Sequence, residues 1–136
     1  MMFGNERLYF PTDWIQGGVF YTLITSEEII SKEHITFPYC VYGDSSGYIM
    51  GVGTGTAIIS WAWAMTDKEE ELKENKYWTD WISLGNLNLF ENKVSYLEVP
   101  TKYLVFVRFK LILTGFSGKI VYLNKRPSGG YKVFLE

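Results

Sequence analysis

Lys102 to Thr114 reads KYLVFVRFKLILT, inside the longer stretch Tyr96–Leu123, YLEVPTKYLVFVRFKLILTGFSGKIVYL. Its residues alternate without a break. Tyr103, Val105, Val107, Phe109, Leu111 and Leu113 share one face of an extended chain. Lys102, Leu104, Phe106, Arg108, Lys110, Ile112 and Thr114 share the other, because successive side chains of a strand point to opposite sides. The first face is wholly apolar and is expected to meet a core. The second mixes charge with large apolar side chains too bulky for open water. Leu104, Phe106, Arg108 and Lys110 are therefore candidate subunit-interface residues, with the face expected to be covered by another strand or another subunit.

Outward from this stretch, short strand-like runs recur between turn signals. Val19–Thr25, Ile35–Tyr42, Tyr48–Val52, Gly55–Met65, Tyr77–Leu84, Lys119–Leu123 and Tyr131–Leu135 are rich in β-branched and aromatic residues. Pro38 cannot donate a ladder hydrogen bond, so its run belongs at an edge or a bulge. Gly43–Gly47, Gly85-Asn86, Glu91-Asn92, Gly115–Gly118 and Arg126–Gly130 read as turns. Ser26–Glu33 opens either a short helix capped by Ser26 or an extension of the strand before it. The charged run Asp67–Lys76 reads as a solvated loop or one short exposed helix. Gly55–Met65 carries large residues on one face (Ala57, Ile59, Trp61, Trp63, Met65) and small ones on the other (Thr56, Ile58, Ser60, Ala62, Ala64), so something packs close against the small face. The pattern predicts an all-β chain, an antiparallel β-sandwich of jelly-roll type with at most one or two short helices. Residues 1–18 read as an irregular N-terminal arm and 19–136 as a single domain.

A chain of 136 residues, 47% hydrophobic and 21% charged, is long enough to bury a core without disulfides or metal. Its single cysteine, Cys40, excludes an internal disulfide and fits a reducing compartment. The first ten residues lack a basic segment followed by an apolar run, so no secretory signal is expected. Ser45–Thr66 is uncharged but too rich in Gly, Ser and Thr for a lipid-spanning helix, and no membrane contact is expected. The net charge of −2 argues against nucleic-acid binding. Charge is uneven: from Thr101 onward seven bases meet one acid, and before it six bases meet fourteen acids. Such a split can feed contacts between subunits.

The search for chemistry returns little. Gly51-Val-Gly53-Thr-Gly55-Thr56 lacks the third glycine and the following helix of a dinucleotide fingerprint, so these are strand or turn glycines. His34, the only histidine, reads as a surface residue, and no nucleophile elbow accompanies it. His34 and Cys40 make a poor zinc set, and Cys40 reads as a small buried hydrophobe. Asp44, Asp67, Asp80 and Glu98 sit at strand ends, but no spacing selects a catalytic pair. No catalytic residue, metal or cofactor is expected. The aromatic fraction is 18%, and Trp61, Trp63, Trp78 and Trp81 form its densest group. Trp61 and Trp63 are assigned to the core. Tyr77, Trp78 and Trp81 are the candidate ligand-binding residues, since an exposed indole stacks on sugar rings. Read as a strand, Tyr77–Leu84 puts Trp78 and Trp81 on opposite faces.

The order of a Gly-Thr-x-x-Ile strand from Gly55, a polar insertion, the W-x-x-W-x-x-L segment (Trp78, Trp81, Leu84) and the Tyr103–Gly115 strand resembles the jelly-roll, discoidin-like β-sandwich modules of phage tail, baseplate and fibre proteins and of sugar-binding accessory domains. The resemblance spans residues 55–123, about half the chain. The proline usual after the last turn is absent; Gly118-Lys119 stands there. No ligand residue carries over. The resemblance implies a non-enzymatic assembly protein of a phage particle (tail, baseplate, neck or decoration), located in the virion. Its partners would be copies of itself or other virion proteins. The alternative it implies is a carbohydrate-binding module with a glycan partner.

Overall fold

The computed structural model describes residues 18–43, 46–90, 93–101 and 104–125. The N-terminal arm to residue 17, the strand expected at Tyr131–Leu135 and the turns at Asp44, Glu91-Asn92 and Arg126–Gly130 lie outside them. Six strands make one antiparallel sheet: β1 (Gly18–Ile35), β2 (Tyr39–Gly43), β3 (Ser46–Trp63), β4 (Ile82–Leu89), β5 (Ser95–Val99) and β6 (Leu104–Lys125). The described residues contain no α-helix, only 3₁₀ turns at Glu69–Glu71 and Asn75–Tyr77. The architecture is all-β and sandwich-like.

The opening stretch is the centre of this sheet. β6 pairs with β1 and β2 along one edge and with β3 along the other, and β3 carries β4 and β5 on its far side. Three strands of 18, 18 and 22 residues are much longer than the usual five or six, so they must bend. The bends sit at bulges, where β1 slips register against β6 between Thr22 and Ile24 and around Ile30.

The main bend is at Gly115. Opposite the step from Thr54 to Thr56 in β3, β6 advances from Thr114 to Ser117, one residue more than its partner. Gly115 takes φ 58°, the left-handed conformation of a bulge glycine. The extra residue inverts the facing of β6. Before it the odd residues Val107, Phe109, Leu111 and Leu113 are buried; after it Phe116, Ile120 and Tyr122 enter the same core. Gly115–Gly118 is therefore not the hairpin turn expected. A left-handed glycine serves a turn and a bulge equally, and the continuing partners on both sides decide for the bulge. By the same logic Tyr48–Val52 and Gly55–Met65 merge into one strand. Gly85-Asn86 lies within β4, with Gly85 at φ 145° where the β3 pairing slips.

The core joins β6 to Ile49, Ala57, Ile59 and Trp61 of β3, to Leu87 and Leu89 of β4, and to Leu23, Val41 and Val99. Trp61 is buried there and Trp63 packs at its margin, as assigned. Phe109 and Tyr122 lie 4.9 Å apart ring to ring, and Tyr39 and Tyr21 extend this aromatic stack. Val105 is half-buried, and Tyr103 lies outside the described residues. His34 corrects the surface reading. It is half-buried, and its Nε2–H donates to the Leu23 carbonyl at 3.1 Å. Ser26–Glu33 resolves as strand. Glu27, Glu28, Lys32 and Glu33 lie along β1, whose far side pairs with no other described strand, and charge on an edge discourages further pairing.

Candidate functional site

Beyond β3 the chain leaves the sheet at Ala64 and returns at Trp78. Ala64 and Trp78 form an isolated antiparallel bridge. Met65 N–H donates to the Tyr77 carbonyl at 2.6 Å and Thr79 N–H to the Trp63 carbonyl at 3.1 Å. The charged run between them is a flap of two 3₁₀ turns lying on the outer face of the sheet. Leu72 and Trp78 press on Ala62 and Ala64, the small side chains that left room for them. The Trp78 Nε1–H donates to the Leu72 carbonyl at 2.7 Å and fixes the flap from inside.

Tyr77–Leu84 is not a strand up to Trp81. It is a turn followed by an irregular approach to β4, so the alternation that separated Trp78 from Trp81 does not exist. Both rings meet Arg108. The guanidinium carbon lies 4.3 Å from the Trp78 ring centroid and 5.1 Å from that of Trp81. Lys110 Nζ lies 5.2 Å from the Trp81 centroid. Cation–π contacts contribute about 0.5–2 kcal/mol each, more where water is displaced. Burial pushes the guanidinium below its ordinary pKa, and its Nε is buried with no acceptor. An arginine still stays protonated at neutral pH. Trp78, only 5% exposed, is covered by the flap and the guanidinium and offers no open indole face. Trp81 is half-buried.

Tyr77 does not join this cluster about Arg108; it belongs to the flap's own Glu71 contact, with Lys76 over its ring. Thr66 donates its hydroxyl to Glu71, and the Tyr77 hydroxyl also hydrogen-bonds that carboxylate. Together these hold the Glu71 carboxyl below its ordinary value, and the bond to Glu71 raises the Tyr77 hydroxyl. A depressed carboxylate pKa stabilises the folded flap fully above about pH 4.5, and the contribution is lost as pH falls through the lower folded value. Amide protection factors of residues 66–77, taken against the intrinsic rate at each pH, should therefore fall on acidification with little change in the sheet. Glu71→Gln should remove most of that pH step.

The sequence-derived interface face divides in two. Phe106 and Arg108 are covered by the chain's own flap, which corrects the expectation that another strand or subunit covers the whole face. Leu104 packs at the core margin. At Ile112 the face is open; past the bulge Val121 and Leu123 are buried again with Met50 and Val52 of β3. Ile112 of β6 pairs directly with Ile58 of β3, and Ile35 of β1 lies diagonally beside them. They are 38%, 46% and 49% exposed. Glu33 stands opposite Ile112, and Lys110 opposite Ile35 and Ser60.

Next to Arg108 the flap and the Thr36–Pro38 linker border a groove of about 710 Å³, which also reaches Cys40. Cys40 is half-buried, more open than a core thiol. Asp67 and Glu69 line this groove, whereas Asp80 and Glu98 are exposed elsewhere; Asp44 lies outside the described residues. Among the described residues no group of three His, Cys, Asp or Glu side chains could hold a metal ion. Sequence reasoning missed the Trp78–Arg108–Trp81 cluster. The W-x-x-W spacing does not show it, because 79–81 are irregular and both rings reach Arg108 only once the flap folds back over β6.

No family model matches the chain, and no curated protein matches it. Among solved structures, the crystal structure of PirA aligns over 81% of this chain and 94% of that one, at 13% identity and a TM-score of 0.40. A score of that size does not establish a common fold.

Proposed function

We propose that this chain is a non-enzymatic assembly protein of a phage particle, and that it joins a second copy of itself through the open part of the outer sheet face. The observation that supports this is the strip Ile35, Ile58 and Ile112. It crosses three neighbouring strands, from the edge strand β1 over β6 to β3, as exposed isoleucines side by side. The strip is self-complementary. Glu33 flanks it in one cross-strand row and Lys110 in the next. A twofold axis through the strip sets Lys110 of each copy against Glu33 of the other while the isoleucines meet. The phage setting rests on the resemblance of residues 55–123 to virion jelly-roll modules.

A stable contact of this kind buries about 1,000 Å² or more in total. Sedimentation velocity at micromolar concentration should show a dimer. Ile112→Asp should convert it to a folded monomer, because a substitution at this open position changes monomer stability by only about 0.5 kcal/mol. A wild-type monomer at tens of micromolar would overturn the reading.

A further inference from the structure

The groove beside Arg108 is separate from the isoleucine strip, and the assembly role does not use it. Its polar groups are unevenly satisfied. The Arg108 Nε is buried and lacks an acceptor, although leaving such a donor unmet costs about 1–3 kcal/mol. Among the described residues no carboxylate lies within ion-pair distance of the guanidinium. The two indoles hold the guanidinium through its ring contacts; its Nε is covered by protein, so the terminal nitrogens are the donors that can meet a ligand in the groove. Asp67 and Glu69 line the same groove as exposed acceptors, Lys73 lines it as an exposed cation, and Leu72 and Phe106 give it apolar wall. About 710 Å³ is the size of a small-ligand site.

We infer that this groove is a binding site for a small carboxylate ligand that also carries hydrogen-bond donors, its carboxylate on Arg108 and its donors on Asp67 and Glu69. Sulfate would satisfy Arg108 but bring no donor to the two carboxylates, and phosphate brings at most two hydroxyls on a compact anion that both acids repel. A neutral sugar would satisfy the acids but leave the arginine unmet. Two sources share the required chemistry: a sugar acid, whose hydroxyls are the donors, and a free amino acid, whose ammonium is.

The test is titration calorimetry of the full chain with glucuronate, N-acetylneuraminate, leucine, glucose and inorganic phosphate. Saturable binding of either sugar acid or of leucine, with glucose and phosphate at least tenfold weaker, is the expected result, and the binding arm identifies the source. Arg108→Lys keeps the charge but removes the planar fork of terminal N–H groups, and should weaken binding at least tenfold. Asp67→Asn, on the exposed flap and without the folding risk of the arginine, should weaken it severalfold. Lys93→Ala, outside the groove lining, should leave it unchanged. No binding by any carboxylate, equal binding of phosphate or glucose, or full affinity in both groove variants would each overturn the inference. Sedimentation of the same samples reports the dimer independently, so the two proposals fail separately.

Discussion

Gly118→Ala should lower the stability of the protein by about 3 kcal/mol or more, among the largest effects of any single substitution here. Gly118 takes φ 146°, where L side chains rarely sit. A methyl group added there would clash with the Val52 carbonyl and lie 2.8 Å from the Gly53 Cα. Gly53, at φ 127°, meets Gly118 and Ser117 in the same way from the other strand. The two glycines let β3 and β6 touch backbone to backbone beside the bulge, and neither strand can retreat while β1 and β5 hold the outer sides. The loss should appear in thermal melts as a fall of roughly 10–15 °C. Gly115→Ala is the contrast. Its φ of 58° costs about 1–2 kcal/mol, but no atom lies within 4 Å of the added carbon. A turn at Gly115–Gly118, as the sequence reads, would make the two substitutions comparably mild.

The second large effect is Trp78→Ala, expected to cost about 3 kcal/mol. Trp78 fills the space between flap and sheet, donates to Leu72 and shields one face of Arg108. Its removal leaves a cavity under the flap, an unmet carbonyl and a guanidinium stripped of a partner. Chemical denaturation should show the loss directly, and Trp78→Phe should recover more than half of it by restoring the ring. A Trp78 that served only as an open platform for sugars would change stability by no more than about 0.5 kcal/mol. The indole nearer to water is that of Trp81, so any stacking role left to the pair belongs there.

Much of the fold was legible because the alternation of Lys102–Thr114 admits one reading: Val107 to Leu113 are buried on the odd face as their sequence dictates. The small residues Ala62 and Ala64 announced a close neighbour, and Leu72 and Trp78 are that neighbour. What the sequence hid follows from two physical ambiguities. Glycine at positive φ marks turns and bulges alike, so the length of β3 and β6 was lost at Gly53 and Gly115. Aromatic residues mark strands and packed turns alike, so Tyr77–Trp81 was given an alternation that separated the two tryptophans. The Ser26–Glu33 ambiguity is of another kind. A helix of two turns has too few hydrogen bonds to offset nucleation, and β6 supplies a full ladder instead. The Arg108 cluster was illegible because it needs a tertiary fact, the flap folding back over β6.

In the proposed dimer the open part of the outer face meets a second copy through Ile35, Ile58 and Ile112, with Lys110 set against Glu33. Sedimentation equilibrium of a charge-exchange series tests it most directly. Lys110→Glu and Glu33→Lys should each weaken the dimer roughly tenfold, and the double exchange should restore most of the loss, since each copy then presents the same pair reversed. A wild-type chain that stays monomeric at tens of micromolar, or a double exchange no better than the single ones, would contradict the claim.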